Sequence, residues 1–136
     1  MNKNDLSSIA IFILRVVLGI IFVAHGLQKL FGAFGDSGIE GFSKMLAGLN
    51  FAPAVFWAWF VAIIEAVGGL FLILGILPRL SSTLIAIIMI VAIGKVHVGN
   101  GFFAMRGGFE YPLLILAVCA LLVLTGGGRF SFFNKW

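Results

Sequence analysis

Apolar and polar positions in this chain segregate on the scale of whole helices. Four long apolar runs, Ser8–Phe31, Pro53–Leu77, Leu80–Val98 and Glu110–Thr125, are separated by short polar or glycine-bearing joints. The hydrocarbon core of a bilayer takes ~20 apolar residues per helix. Each run therefore predicts a spanning helix, the last two being short spans with little tilt. Pro53 sits where a helix can start. Leu77-Pro78-Arg79 reads as a tight turn, which makes the second and third runs an antiparallel hairpin. Gly32–Asn50 is a polar connection carrying Asp36, Glu40 and Lys44, and within it Ile39–Leu49 has helical spacing suited to the membrane interface. Gly99–Gly108 holds four glycines with Phe102, Phe103 and Met105, and predicts a loop that dips into the interface. Gly126-Gly127-Gly128 ends the fourth run, and an aromatic tail follows. No internal repeat is visible. The expected architecture is all-α, an integral membrane four-helix transmembrane bundle forming a single domain over 1–136.

Composition narrows the classes further. Of 136 residues, 62% are hydrophobic and 10% charged, against about 25% charged in a soluble domain. So few charges cannot cover a water-exposed surface. The net charge is +4, but the basic residues are scattered singly and no patch tracks phosphates, which excludes a nucleic-acid partner. Cys119 is alone in an apolar run, so an internal disulfide, a CxxC redox motif and a zinc finger are excluded. Arg15 interrupts the first run, and a cleaved signal peptide normally has an uncharged core of about 7–15 residues. The first run therefore reads as a retained helix. Lys3, Arg79, Arg129 and Lys135 lie on one side and Lys44 and Arg106 on the other, which places both termini in the cytoplasm of a multi-pass inner (plasma) membrane protein. Counting Lys29 and Lys95 at helix ends makes the two sides equal. Trp57, Trp59, Phe130–Phe133 and Trp136 fall at aromatic-belt positions.

Ionisable groups inside a bilayer are costly and mark function or packing. On a wheel of ~100° per residue, Arg15, Gly19, His25, Gly26 and Lys29 share one stripe of the first helix. On the second, Glu65 shares a face with Gly68 and Gly69. Small residues admit a neighbouring backbone, so Gly19, Gly26, Gly68 and Gly69 are the expected helix-packing positions. Depths measured from the span ends predict an Arg15–Glu65 structural ion pair within the bundle.

His25, Lys29, Lys95, His97 and Glu110 fall at one predicted end of three helices and can converge as a ligand-binding group. Such a mouth suits a polar head, and the bundle suits an apolar tail. A quinone has both parts: carbonyl oxygens that need donors, and a chain that needs lipid. His and Glu can move the protons that accompany its reduction. The plainer reading is a belt of snorkelling side chains, which fits Lys29 and Lys95 better than the histidines. Two histidines at matching depth also raise haem b, but nothing else signals a porphyrin pocket. A site of two histidines and one carboxylate lacks any motif spacing, so no metal is assigned. Catalytic residues are not identifiable from the sequence.

Leu14-Arg15-Val16-Val17-Leu18-Gly19 with His25-Gly26-Leu27-Gln28-Lys29, Ile64-Glu65-Ala66-Val67-Gly68-Gly69, and His97 with Gly101-Phe102-Phe103 and Gly108-Phe109-Glu110 together resemble the DoxX family. The resemblance implies a four-helix membrane bundle associated with quinone-linked or thiol-stress redox systems. Its family pattern falls on Arg15, Gly19, His25, Gly26, Lys29, Glu65, Gly69, His97 and Glu110. The expected role is a quinone-binding subunit or accessory of a membrane oxidoreductase, not catalytic on its own, with other redox-complex subunits or a second copy as partners. Two alternatives stay open: a dimeric proton-coupled transporter working through Glu65, and a purely structural subunit.

Overall fold

The computed structural model of the protein describes residues 1–134. Its long elements are α1 (Lys3–Phe31), α2 (Gly38–Gly48), α3 (Ala54–Leu74), α4 (Pro78–Ala92) and α5 (Glu110–Thr125). The fold is an all-α membrane bundle. Lys3–Phe31, Ala54–Leu74 and Pro78–Asn100 are each long and apolar enough to cross a membrane. The 16 residues of α5 span about 24 Å at ~1.5 Å per residue. Large apolar side chains such as Ile20, Ile63, Ile87, Leu114 and Leu124 are exposed all round the bundle, as lipid-facing residues should be. Trp136 and Lys135, which entered the belt and orientation arguments, lie outside the described residues.

α1 starts five residues before the apolar run begins, because the Asn2 side chain accepts the Asp5 amide at 2.9 Å and caps the helix earlier. The third apolar run does not stay α-helical. It passes at Ile93–His97 into a π-helical turn, then a 3₁₀ turn to Asn100. Pi-helical turns re-aim side chains that a straight α-helix would place elsewhere, and this one carries Lys95 and His97.

The closest packing joins α1 to α3, which run antiparallel. A Cβ built on Gly26 would lie 2.6 Å from the Ala66 Cα, and one on Gly69 would lie 2.7 Å from the Gly19 carbonyl oxygen. Only glycine permits these approaches, and they fix the register of the two helices. Gly68 faces α4 instead, where a Cβ would meet Ile85 at an ordinary 3.6 Å. α4 packs on α5, and Leu18, Phe22, Leu72, Ile85, Met89, Ile115, Cys119 and Leu122 fill the space between the two pairs. Beyond this core, towards α2, the pairs separate.

The chain closes at the opposite end. After Gly126 it turns back, and Phe133 exchanges backbone hydrogen bonds with Gly75 and Leu77 at the α3–α4 turn, each 3.0 Å. That tail covers Arg15.

Candidate functional site

The glycine register decides which charges can meet. Gly26 against Ala66 brings the end of α1 beside the middle of α3. Lys29, one turn beyond Gly26, reaches Glu65 and donates to Oε2 at 2.6 Å. The Glu65 side chain is 4% exposed and that of Lys29 20%. Lys29 Nζ also lies over the Phe42 ring of α2, 5.2 Å from its centroid.

The expected Arg15–Glu65 pair does not form. Arg15 lies beside Gly75, so it is about ten residues from Glu65 along the α1–α3 seam, or ~15 Å at ~1.5 Å per residue. An arginine side chain cannot cover that distance. The sequence estimate measured depth from the ends of the apolar runs, whereas the glycine contacts set the true offset. Arg15 is instead 1% exposed and bound by the tail. Its Nη1 donates to Gly127 O at 2.9 Å and to Ser131 Oγ, and its Nη2 donates to Phe130 O at 2.6 Å. Its part is to hold the tail on the bundle.

Where the helix pairs separate there is a cavity of about 920 Å³. Phe22, Met89 and Ile115 lie at its core end, and Phe42 and Met45 of α2, with Leu49 at its C-cap, cover it from the other side. These three residues follow i, i+3 and i+7 spacing, and the buried Leu46 completes the stripe. Outside that stripe, Glu40 and Lys44 form an exposed pair at 3.0 Å. α2 is therefore an amphipathic cover whose apolar face is turned to the cavity.

His25, Lys29, Lys95 and His97 all reach the cavity wall, together with Glu65. His25 and Lys95 are exposed, and His97 is half-buried. His97 is held: its Nδ1 is 2.8 Å from the Gly107 carbonyl, which leaves Nε2 as the ring's second hydrogen-bonding atom. Lys95 Nζ stands 6.0 Å above the Phe51 ring. Glu65 Oε1 accepts no hydrogen bond among the described residues, so one oxygen of a buried carboxylate remains available at the wall.

Glu110 does not join this group. Its Oε2 accepts the Ala104 amide at 2.9 Å and its own backbone amide donates to Phe102 O at 2.8 Å. The carboxylate is used to fold the Gly99–Gly108 loop. Accordingly, the set of His25, His97 and Glu110 considered for a metal is not assembled, and no group of three His, Cys, Asp or Glu able to hold an ion occurs among the described residues.

The cavity is thus mostly apolar with convergent polar groups, the usual makeup of a small-molecule site. It can take a molecule that has an apolar body and hydrogen-bonding atoms. Two of its features are not read from the sequence. The segment Ile39–Leu49 reads there as an interfacial helix, but not as a cover with its stripe at Phe42, Met45, Leu46 and Leu49 turned to a cavity. Glu65 reads there as the partner of Arg15 or as a proton-coupling acid, not as the partner of Lys29 at the cavity wall.

Comparisons with known proteins agree with this architecture. The family model for DoxX matches residues 10–98. A Bacillus subtilis (strain 168) protein named "Putative oxidoreductase CatD" is 33% identical over 126 residues, covering 93% of this chain and 84% of that protein. A Haemophilus influenzae (strain ATCC 51907 / DSM 11121 / KW20 / Rd) protein named "Uncharacterized protein" is 29% identical over 126 residues, covering 92% and 82%. No solved structure matches. By the extent of the family match and by its apolar helices, the chain is a multi-pass membrane protein belonging to the DoxX family.

Proposed function

We propose that the protein is a redox-associated membrane subunit whose cavity binds a quinone or a similar lipid-soluble molecule. The observation that carries this reading is the cavity itself: about 920 Å³ of mostly apolar wall, with the Lys29–Glu65 pair, His25 and His97 converging on it. A quinone's carbonyl oxygens need donors, which Lys29, His25 and His97 can supply. Its chain needs an apolar groove, which α2, α3 and α4 provide. Protons must accompany electrons when a quinone is reduced, and Glu65 and the histidines are groups that can pass them. The electrons would come from a partner redox protein. The printed name of the Bacillus subtilis relative supports the redox part of the reading. The family and the apolar helices support placement in the inner membrane, and the basic residues at the tail end of the bundle support cytoplasmic termini.

The test is to purify the protein in mild detergent, record its visible spectrum, extract it with organic solvent and identify bound molecules by mass spectrometry. A stoichiometric quinone, retained less by His25→Ala, is the expected result. Gently handled protein with no quinone and no chromophore would overturn the reading and leave a transporter or a structural subunit.

A further inference from the structure

A second, smaller cavity of about 340 Å³ lies at the other end of the bundle, between Phe12, Arg15, Ile73, Leu74, Arg129 and Phe132. It is separate from the α2-covered chamber: Arg15 and His25 are ten residues apart on α1, about 15 Å at ~1.5 Å per residue.

Two facts about its charges stand out. Arg15 is a buried cation whose oxygen partners, Gly127 O, Phe130 O and Ser131 Oγ, are all neutral. No carboxylate among the described residues pairs with it, and its Nε has no hydrogen-bond partner. A buried charge without a counter-ion is costly, and an anion close by offsets that cost. Among the described residues the second wall charge, Arg129, pairs only with Asp5, its side chain 69% exposed and that of Asp5 34%. It can turn from Asp5 to another anion at small cost, since exposed pairs are weak.

The surroundings say which anion. The cavity is level with the α3–α4 turn, where a spanning helix ends and headgroups begin. Apart from Ser131, whose hydroxyl is taken by Arg15, its remaining walls are apolar: Phe12, Ile73, Leu74, Phe130 and the exposed Phe132. Phe12 and Phe130 pack edge to face, 5.7 Å between centroids, at the rim. A phosphate here would meet the exposed Arg129 and lie near the buried Arg15, while an attached acyl chain lay along α1 and α3.

We infer that this cavity binds the phosphate of an anionic phospholipid, with Arg129 as the accessible donor and Arg15 as the buried charge that the lipid neutralises. The inference does not rest on the quinone reading. The lipid clamps the tail to α1 and α3 at the membrane surface.

Native mass spectrometry of the full chain in mild detergent tests it, with phosphatidylglycerol, phosphatidylcholine and inorganic phosphate as probes. One phosphatidylglycerol should be retained per chain, with phosphatidylcholine retained about fivefold less. Arg129→Gln should lower phosphatidylglycerol retention about fivefold, and Asp5→Asn, which frees Arg129, should raise it. Retention indifferent to headgroup charge, or unchanged in Arg129→Gln, would overturn the site. Inorganic phosphate competing equally with the lipid would overturn the lipid as its occupant. Arg129 is exposed and Asp5 partly so, and neither lies in the core, so the answer does not depend on the more delicate Arg15→Lys.

Discussion

Lys29 and Glu65 meet at 2.6 Å across the α1–α3 seam, and the burden of burial falls unequally on them: the carboxylate is nearly enclosed, while the ammonium keeps a fifth of its surface accessible. Neither helix could carry its charge alone at that depth. The pair therefore couples the register of α1 on α3 to the polarity of the cavity wall. Glu65→Ala should cost about 3 kcal/mol, because it leaves the Lys29 charge without its partner. Lys29→Met should cost a similar amount. The double variant Lys29→Met/Glu65→Ala should fall short of the sum by about 1–3 kcal/mol, since contacting residues are not additive. Thermal or denaturant unfolding of the four proteins in one detergent measures the cycle, and strict additivity would mean that the pair is not formed.

Helix α1 tolerates no side chain at its closest approach. Gly26→Ala should destabilise the protein by about 1–3 kcal/mol, because the new methyl meets the Ala66 backbone, which cannot turn aside as a side chain can. Gly48→Ala on α2 meets nothing within 4 Å and should be neutral or slightly stabilising. Equal melting temperatures for the two variants would contradict the packing described.

The tail owes its position to Arg15. Ser131→Ala removes one of the three hydrogen bonds donated by Arg15 and should cost about 1 kcal/mol. Arg15→Leu removes them all and should release the segment after Gly126, seen as faster proteolysis there while α3 and α4 stay protected. Unchanged cleavage in Arg15→Leu would mean that the Phe133 backbone bonds suffice to hold the tail.

The polar groups at the α2 end should separate by role. Trp57 lines the cavity, so quenching of tryptophan fluorescence by a short-chain quinone reports binding. His25→Ala should weaken that binding about fivefold, the loss of one hydrogen bond, and leave the melting temperature nearly unchanged. Glu110→Ala should leave binding unchanged and cost about 1 kcal/mol of stability, since the Glu110 carboxylate accepts the Ala104 amide. A reversed pattern would move the ligand towards the loop.

The helices and the end of the bundle where His25, Lys29, Lys95 and His97 gather were legible in the sequence for a simple reason. A bilayer demands long apolar runs and leaves each ionisable residue conspicuous. Partner choice was not legible in the same way. Which acid Lys29 or Arg15 finds depends on how far one helix slides along another, and that offset is set by backbone contacts at Gly19, Gly26 and Gly69. The glycines could be picked out, but not their register. Arg15 was harder still, because its partners are backbone carbonyls in a tail that folds back, and carbonyls leave no trace in a residue pattern. Glu110 misled for the opposite reason: an acid at the start of a helix beside a glycine-rich loop looks like a ligand, yet the loop's own amide takes it. The π-helical turn at Ile93–His97 has no simple periodic signature.

The tail's attachment also has a consequence for how the chain is made. Arg15 and its acceptors are separated by 112 to 116 positions. The first helix must enter the membrane while the residues that will satisfy its guanidinium have yet to leave the ribosome. Until those residues are made the protein carries an orphan cation, and the arrival of Gly127, Phe130 and Ser131 gives it its oxygen partners. Arg15 is therefore held only after all four apolar helices have been made, and a chain stalled or clipped before those residues would present the membrane's quality-control proteases with a lasting mark of immaturity.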